Sequence, residues 1–433
     1  MITPKKPQGF NEFLPADQLA FNAMISVIKL AYEQHGYSPI ETPVLELASV
    51  LLAKEGGETA KQVYRFSKGD NDLAMRFDLT IPLARYVAEH YHDLAMPFRR
   101  YQIQEVWRAE KTQAGRFRQF YQCDVDIIGS NDTLADADIL LTAHDALNNL
   151  GLTDAIFNIS HRGLLIGLLE NLKLDNKATE ILRIIDKLDK QGEKKISEDL
   201  EAIDINKDKI NEILNLAKIS GNAKDVLKTL VSLNINNATF TKALEDLTEI
   251  DKYLQAGGLK NKNYIFNLRI ARGLDYYTGV VFETTLTKNP ELGSVGGGGR
   301  YDNLVSHYSK ENLSGVGISI GISRLFNAIK ARLKDGPATP AQVLIIPFSK
   351  ETINYCLEVT TNLNKANLNA FVYPKLAKAD KQLSYANKLG IKIVVLCGED
   401  EVKKKVVTIK NMTTGKQATV PIAKAAFTIK KSL

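Results

Sequence analysis

The sequence predicts an α+β protein: a large first domain built on an antiparallel sheet, interrupted by helices, then a small α/β domain. Three observations predict it. Two alternating segments, RRYQIQEVWRAE and RQFYQCDVDIIG, flank a polar loop in the manner of an antiparallel pair. From roughly Leu164 to Lys260 the chain turns helical in period and nearly loses its aromatics. Beyond the Pro- and Gly-bearing linker KARLKDGPATPAQ, the short apolar runs VLIIPF, AFVYP and IKIVVLCG alternate with helical stretches. The expected division is a first domain over 1–330 with a helical insertion at 164–260, a linker at 331–342 and a second domain over 343–433.

Taken in order, Phe21, Met24, Ile25, Ile28, Ala31 and Tyr32 share one helical face, and that helix is expected to end near Gly36. SPIETPVLE is extended, because Pro39 and Pro43 bar helix. LAMRFDLTIPLARYVAEH reads as a strand entering a helix near Pro82. In the second segment of the hairpin, Tyr121, Cys123, Val125 and Ile127 make an apolar face; Phe120, Gln122, Asp124 and Asp126 make a polar one. Gln104, Val106 and Arg108 share a face of the first segment. The insertion carries ILRIIDKLDK, INEILNLAK and DVLKTLVSL; strands resume at NYIFNLRI and TGVVFETTL, and GVGISIGISRLFNAIK passes from strand to helix. The chain closes on a hairpin-like VVTIKNMTTGKQATVPI.

Composition narrows the function. At 433 residues and 44% hydrophobic, the chain has material for two or three globular cores. No apolar run reaches membrane-spanning length, and the lysines of MITPKKPQGFNEFLP precede no apolar h-region, so a cytoplasmic protein without a membrane role is expected. Cys123, Cys356 and Cys397 form no C-x-x-C pair, and His90 and His92 belong to no H-E-x-x-H pattern; neither a disulfide framework nor a bound structural metal is expected. Charge is uneven: from Val343 onward there are fifteen lysines, no arginine and six acidic residues, a balance of +9 that leaves −3 for the rest of a chain at +6. Such a surface attracts phosphate backbones.

The glycine patterns exclude two readings. GVGISIG lacks the G-x-G-x-x-G spacing and the preceding strand of a dinucleotide fingerprint, and GGGGRYD lacks the GK[ST] ending of a P-loop. Four successive glycines in a strand still weaken it, which points to close approach of the backbone to a flat ligand. Asp78, Arg108, Gln122, Asp126, Arg272 and Tyr277 all begin or line candidate strands. Carboxylates suit an α-ammonium and guanidinium an α-carboxylate, while a Tyr hydroxyl and a second carboxylate suit both nitrogens of an imidazole. Phe120 and Arg324 could sandwich an adenine, and arginines stabilise a reacting phosphoryl group. The chemistry indicates an amino acid and a nucleotide.

At these residues the chain resembles the histidine–tRNA ligases, a family of class II aminoacyl-tRNA synthetases, over essentially its whole length. GYSPIETPVLE resembles motif 1 with Pro43 as its proline, WRAEKTQAGRFRQFYQCDVDIIG resembles motif 2, and GISIGISRL resembles motif 3 with Arg324 as its arginine. RGLDYYTG and SVGGGGRYD resemble the two signature segments of the histidine-specific family. The resemblance implies a class II antiparallel-sheet catalytic domain, an anticodon-binding α/β domain and a homodimer built largely on motif 1. Activation of L-histidine with ATP and Mg2+, then transfer to tRNA(His), is the activity it implies.

Position by position it implies that Arg108 contacts the α-phosphate and the histidine carboxylate, with Phe120 stacking on adenine. Arg116 would meet the γ-phosphate, and Arg324 would lie on the other side of the adenine. Gln122 and Asp78 would hold the ammonium, Asp126 and Tyr277 would read the imidazole, and Thr80 and Tyr276 join the histidine-binding set. Arg272 would sit at the reacting carboxylate and α-phosphate, where other class II enzymes use an additional magnesium ion; Arg272 and Arg108 are the expected catalytic pair. Two departures are visible: Asp78 stands where some members carry Glu, and Ser323 precedes the motif 3 arginine where an acidic residue is frequent. Two other readings remain to be separated from this one. A regulatory paralogue is expected to lack the C-terminal domain and RGLDYYTG, both present here. A tRNA-binding module without chemistry would not bind ATP.

Overall fold

The computed structural model describes residues 2–53, 60–111, 117–270, 276–330 and 336–433. They form two compact units, one of Met1–Asn11 with Met24–Lys330 and one of Glu12–Ala23 with Ala331–Leu433.

The larger unit is organised by a nine-stranded mixed sheet. Its order is Ser38–Pro39, Phe98–Trp107, Gln119–Ile128, Gly315–Ile320, Ser294–Tyr301, Val280–Leu286, Ala155–His161, Tyr264–Asn267 and Ser220–Gly221. Ser38–Pro39 and Tyr264–Asn267 pair in parallel with their neighbours Phe98–Trp107 and Ala155–His161, and all other pairings are antiparallel. The expected hairpin is present with Arg100 opposite Asp126, Gln104 opposite Gln122 and Val106 opposite Phe120. The apolar face of its second strand packs on the core, and the polar face lines a cavity together with Tyr276, Tyr277 and the glycine-rich strand.

The helix expected near Pro82 begins earlier, at Thr80 (Thr80–Glu89). The cause is local: Asp78 Oδ1 accepts the Ile81 N–H at 3.1 Å, satisfying a donor of the first turn, where Pro82 is tolerated because it has no N–H to lose. The insertion runs as helices from Arg162–Asn171 to Ala238–Ala256. Three of these helices start on asparagines, Asn206, Asn222 and Asn237, each accepting the N–H three residues on at 3.0 Å. Helix Ala238–Ala256 packs on Arg162–Asn171 and on Thr133–Asn149, which ties the insertion to the sheet.

The smaller unit is a five-stranded sheet in the order Ala370–Val372, Val343–Pro347, Ile393–Cys397, Val406–Asn411 and Gln417–Pro421. The first three strands are parallel and the last two close the chain as an antiparallel hairpin. Alternation sorts its side chains. Val343, Ile345, Ile393 and Val395 pack in one cluster with residues of helices Ile353–Lys365 and Ile422–Ser432. Leu344, Ile346 and Val394 pack in another with Ala386 and Leu383 of helix Ala379–Leu389. No described helix is long and apolar enough to cross a membrane.

Candidate active site

A cavity of about 460 Å³ opens on the polar face of the hairpin. Asp78, Thr80, Arg108, Phe120, Gln122, Asp126, Tyr276, Tyr277 and Arg324 all line it, from segments up to 246 positions apart. Arg116 and Arg272 lie outside the described residues.

The inner end is acidic, and its carboxyls are buried. Asp78 is 2% exposed; capping the helix uses Oδ1, and Oδ2 has no hydrogen-bond partner. Burial pushes its carboxyl up to about 6, against the opposing pull of the Ile81 N–H and Arg108. Gln122 donates Nε2 to Ser319 Oγ at 2.7 Å, and its Oε1 is left without a partner. Asp124 Oδ1 is likewise buried and unpartnered, and burial raises this carboxyl to about 7 despite Arg100 nearby. Three buried acceptor oxygens thus belong to residues that line one cavity, with nothing in the described protein to donate to them. Leaving each unmade costs about 1–3 kcal/mol, so the arrangement is stable in function only with a donor-rich guest.

Beside them Asp126 Oδ1 accepts the Tyr301 hydroxyl at 2.7 Å, while Arg100 Nη2 sits 2.7 Å from Oδ2. That second contact is an ion pair without hydrogen-bond alignment, so Oδ2 can still accept a donor. Tyr276 and Tyr277 meet edge to face at 4.8 Å. Burial holds both phenols well above the usual range, so both hydroxyls are protonated donors.

The glycine run has a cause that the sequence alone did not separate. A Cβ on Gly298 would strike the carbonyl of Gly317 in the next strand, and one on Gly317 would strike the Asp126 carboxylate. The first cause is therefore a neighbouring backbone, and only the second concerns the site; Gly296, Gly297 and Gly298 also form cavity wall.

At the outer end the Arg108 guanidinium lies 5.2 Å from the Phe120 ring centre, and its Nε donates to the Phe77 carbonyl at 2.9 Å. Arg324 Nη1 donates to the Ser294 carbonyl at 2.5 Å, which aims the side chain along the cavity rim. Cations and an aromatic face at one end, with buried acceptors at the other, suit a nucleotide beside an amino acid.

Reading the sequence missed Arg100 and Tyr301 and left Asp124 without a role. Arg100 shares the parity of Gln104 and Arg108, so extending the alternation by one repeat would have placed it opposite Asp126. Asp186, from the insertion, also reaches the cavity wall, and no local signal marks it.

A sequence profile described as Histidyl-tRNA synthetase matches residues 9–325, and one for an anticodon binding domain matches 342–432. The chain belongs to the histidyl-tRNA synthetase family. It is 43% identical to a histidine–tRNA ligase of Clostridium tetani, covering 100% of this chain and 99% of that protein. It is 42% identical to one of Stenotrophomonas maltophilia over 100% and 99% of the two chains. Among solved structures, a histidyl-tRNA synthetase from Nostoc sp. PCC 7120 superposes with a TM-score of 0.89 at 34% identity, over 100% of both chains. Membership of the histidyl-tRNA synthetase family makes the chain a class II aminoacyl-tRNA synthetase, and its mixed sheet with a helical insertion and C-terminal α/β domain is the architecture expected of one.

Proposed function

We propose that the chain activates L-histidine with ATP to histidyl-adenylate and transfers the histidyl group to tRNA(His). One observation carries the reading: the unpartnered oxygens Asp78 Oδ2, Gln122 Oε1 and Asp124 Oδ1 converge on one cavity beside Asp126 and Tyr277. An α-ammonium supplies three N–H donors for the first group, and an imidazole supplies a donor for Asp126 and a second ring nitrogen for Tyr277.

The α-carboxylate of histidine is already anionic, so it needs no base. Its oxygen attacks the α-phosphorus in line, the new P–O bond forms, and the bond to pyrophosphate breaks. Arg108 neutralises charge at the carboxylate and the α-phosphate, and Phe120 and Arg324 hold the adenine. Arg272 and Arg116 take the α- and γ-phosphate roles that the motifs assign them. Magnesium carried on ATP would screen its phosphate charge; no cluster of the described acidic, His or Cys side chains would hold the ion by itself. In the second half-reaction a ribose hydroxyl of the tRNA terminus attacks the acyl carbon and AMP leaves. The lysine-rich second unit supports binding of the tRNA backbone, and a cytoplasmic location is part of this reading.

The active form is a homodimer in this reading. The exposed apolar side chains of Val44, Leu45, Leu47 and Phe66, on or beside the three-stranded sheet of Leu45–Leu47, Arg65–Lys68 and Asn71–Met75, support it. The test of activity is exchange of labelled pyrophosphate into ATP with each amino acid in turn. Exchange with histidine alone is expected; exchange with none, or with a different amino acid, would contradict the reading.

A further inference from the structure

Arg100 is 0% exposed and stands behind the cavity, on the Phe98–Trp107 strand directly opposite Asp126. It makes the closest cationic contact of that carboxylate, 2.7 Å from Oδ2, while its hydrogen bonds to Gln102 Oε1 at 3.4 Å and to the Leu79 carbonyl at 3.5 Å are long. Its Nε has no hydrogen-bond partner among the described residues. A guanidinium buried with so few hydrogen bonds is expensive, and a single ion pair does not recover that cost by itself. Its neighbours on the same face are Asp124 and Asp126, two carboxylates on one strand that could not both ionise here without a cation between them.

From this placement, and resting on the histidine-activating reading above, we propose that Arg100 is a positioning residue: it keeps Asp126 anionic and aimed at the imidazole, and so sets specificity for the ring without touching the substrate. The rest of the surroundings agree. Tyr301 fixes Oδ1, and Gly317, on the far side, leaves the space that Oδ1 fills. Around Asp126 the charged or titratable groups are Arg100, Asp124 on its own strand, Tyr301, Tyr277, and Tyr32 from the N-terminal helix; Asp78 bears on the same guanidinium. Arg100 is the one cation in that set among the described residues. Burial already raises this carboxyl and Arg100 opposes that; without Arg100 the balance moves further toward the protonated acid, which offers an O–H where a ring N–H needs an acceptor.

The test compares the full-length parent with Arg100→Leu, Arg100→Lys and Asp126→Asn in steady-state exchange, measuring KM for histidine and for ATP from pH 6 to 9. The parent must first show histidine-dependent exchange; if it does not, the functional reading fails and Arg100 is not at issue. Given exchange, Arg100→Leu is expected to raise KM for histidine by roughly tenfold to a hundredfold with KM for ATP little changed. The pH at which histidine affinity levels off should move upward, because Asp126 then ionises later. Arg100→Lys should keep the parental pH profile with a smaller rise in KM. In the Asp126→Asn background the leucine change should add no further loss for histidine. An unchanged histidine KM and pH profile in Arg100→Leu, or equal losses for histidine and ATP, would overturn the proposal. So would an additive loss in the double variant. Should Arg100→Leu fail to fold, Arg100→Lys decides: a selective rise in histidine KM supports the role, and parental kinetics or a non-selective loss removes it.

Discussion

The hairpin of the larger unit and the central strands of the smaller one are built from the same alternation and put it to opposite use. In Val343–Pro347 and Ile393–Cys397 both faces are apolar, and each is buried against helices. In Gln119–Ile128 one face is apolar, while the other carries Gln122, Asp124 and Asp126, all under 10% exposed. The first arrangement yields stability and leaves binding to lysines at the surface. The second keeps polar groups dry and partly unpaired, which weakens the fold and prepares the site. Burial alone therefore does not distinguish core from site; several unpaired acceptors gathered in the wall of one cavity do.

Four substitutions break or sharpen that contrast. The largest effect belongs to the apolar sheet: Ile345→Ala, fully buried in its cluster, should cost about 2–5 kcal/mol in calorimetric unfolding while histidine-dependent exchange survives at permissive temperature. Next, Arg272→Ala should slow adenylate formation by roughly 3 kcal/mol of transition-state stabilisation with tRNA binding retained, as read from exchange rates and filter binding. Third, Asp124→Asn should stabilise the ligand-free protein. Burial lifts this carboxyl to about 7 in the fold, against about 3.9 in an unfolded chain. Its contribution is thus fully favourable below about pH 4 and is lost as pH rises through 7. The variant should gain on the order of 2 kcal/mol at pH 8 and little at pH 4, by thermal unfolding at the two pH values. Smallest, Tyr277→Phe should weaken histidine binding by about 1 kcal/mol in a direct titration without altering unfolding, since only a hydroxyl contact is lost.

Much of the fold was legible because it depends on local period. The hairpin, the helical insertion and the alternating second domain follow from spacing, and so does the grouping of Phe120, Gln122, Asp124 and Asp126 on one face. What was illegible depends on partners far along the chain. That the polar face lines a cavity follows from Tyr276, Tyr277 and the glycine-rich strand bounding the same space, more than 140 residues away. That Thr80 rather than Pro82 begins its helix follows from one carboxylate serving as both cap and site wall. The two-residue strand Ser220–Gly221, inside the insertion, is too short for any pattern and is held only by pairing with Tyr264–Asn267. Arg100 lay within reach of the alternation, but an arginine on a sheet face is ordinary until the opposite residue is known to be a buried aspartate.

The central claim is that the unpaired acceptors beneath the hairpin are the histidine site. Calorimetric titration of L-histidine at pH 8 into the parent and into Asp124→Asn tests it most directly. The account predicts saturable binding to the parent and at least about tenfold weaker binding to the variant, even though the variant is the more stable protein. Equal affinities in the two, or a variant that binds less only because it is less stable, would contradict it.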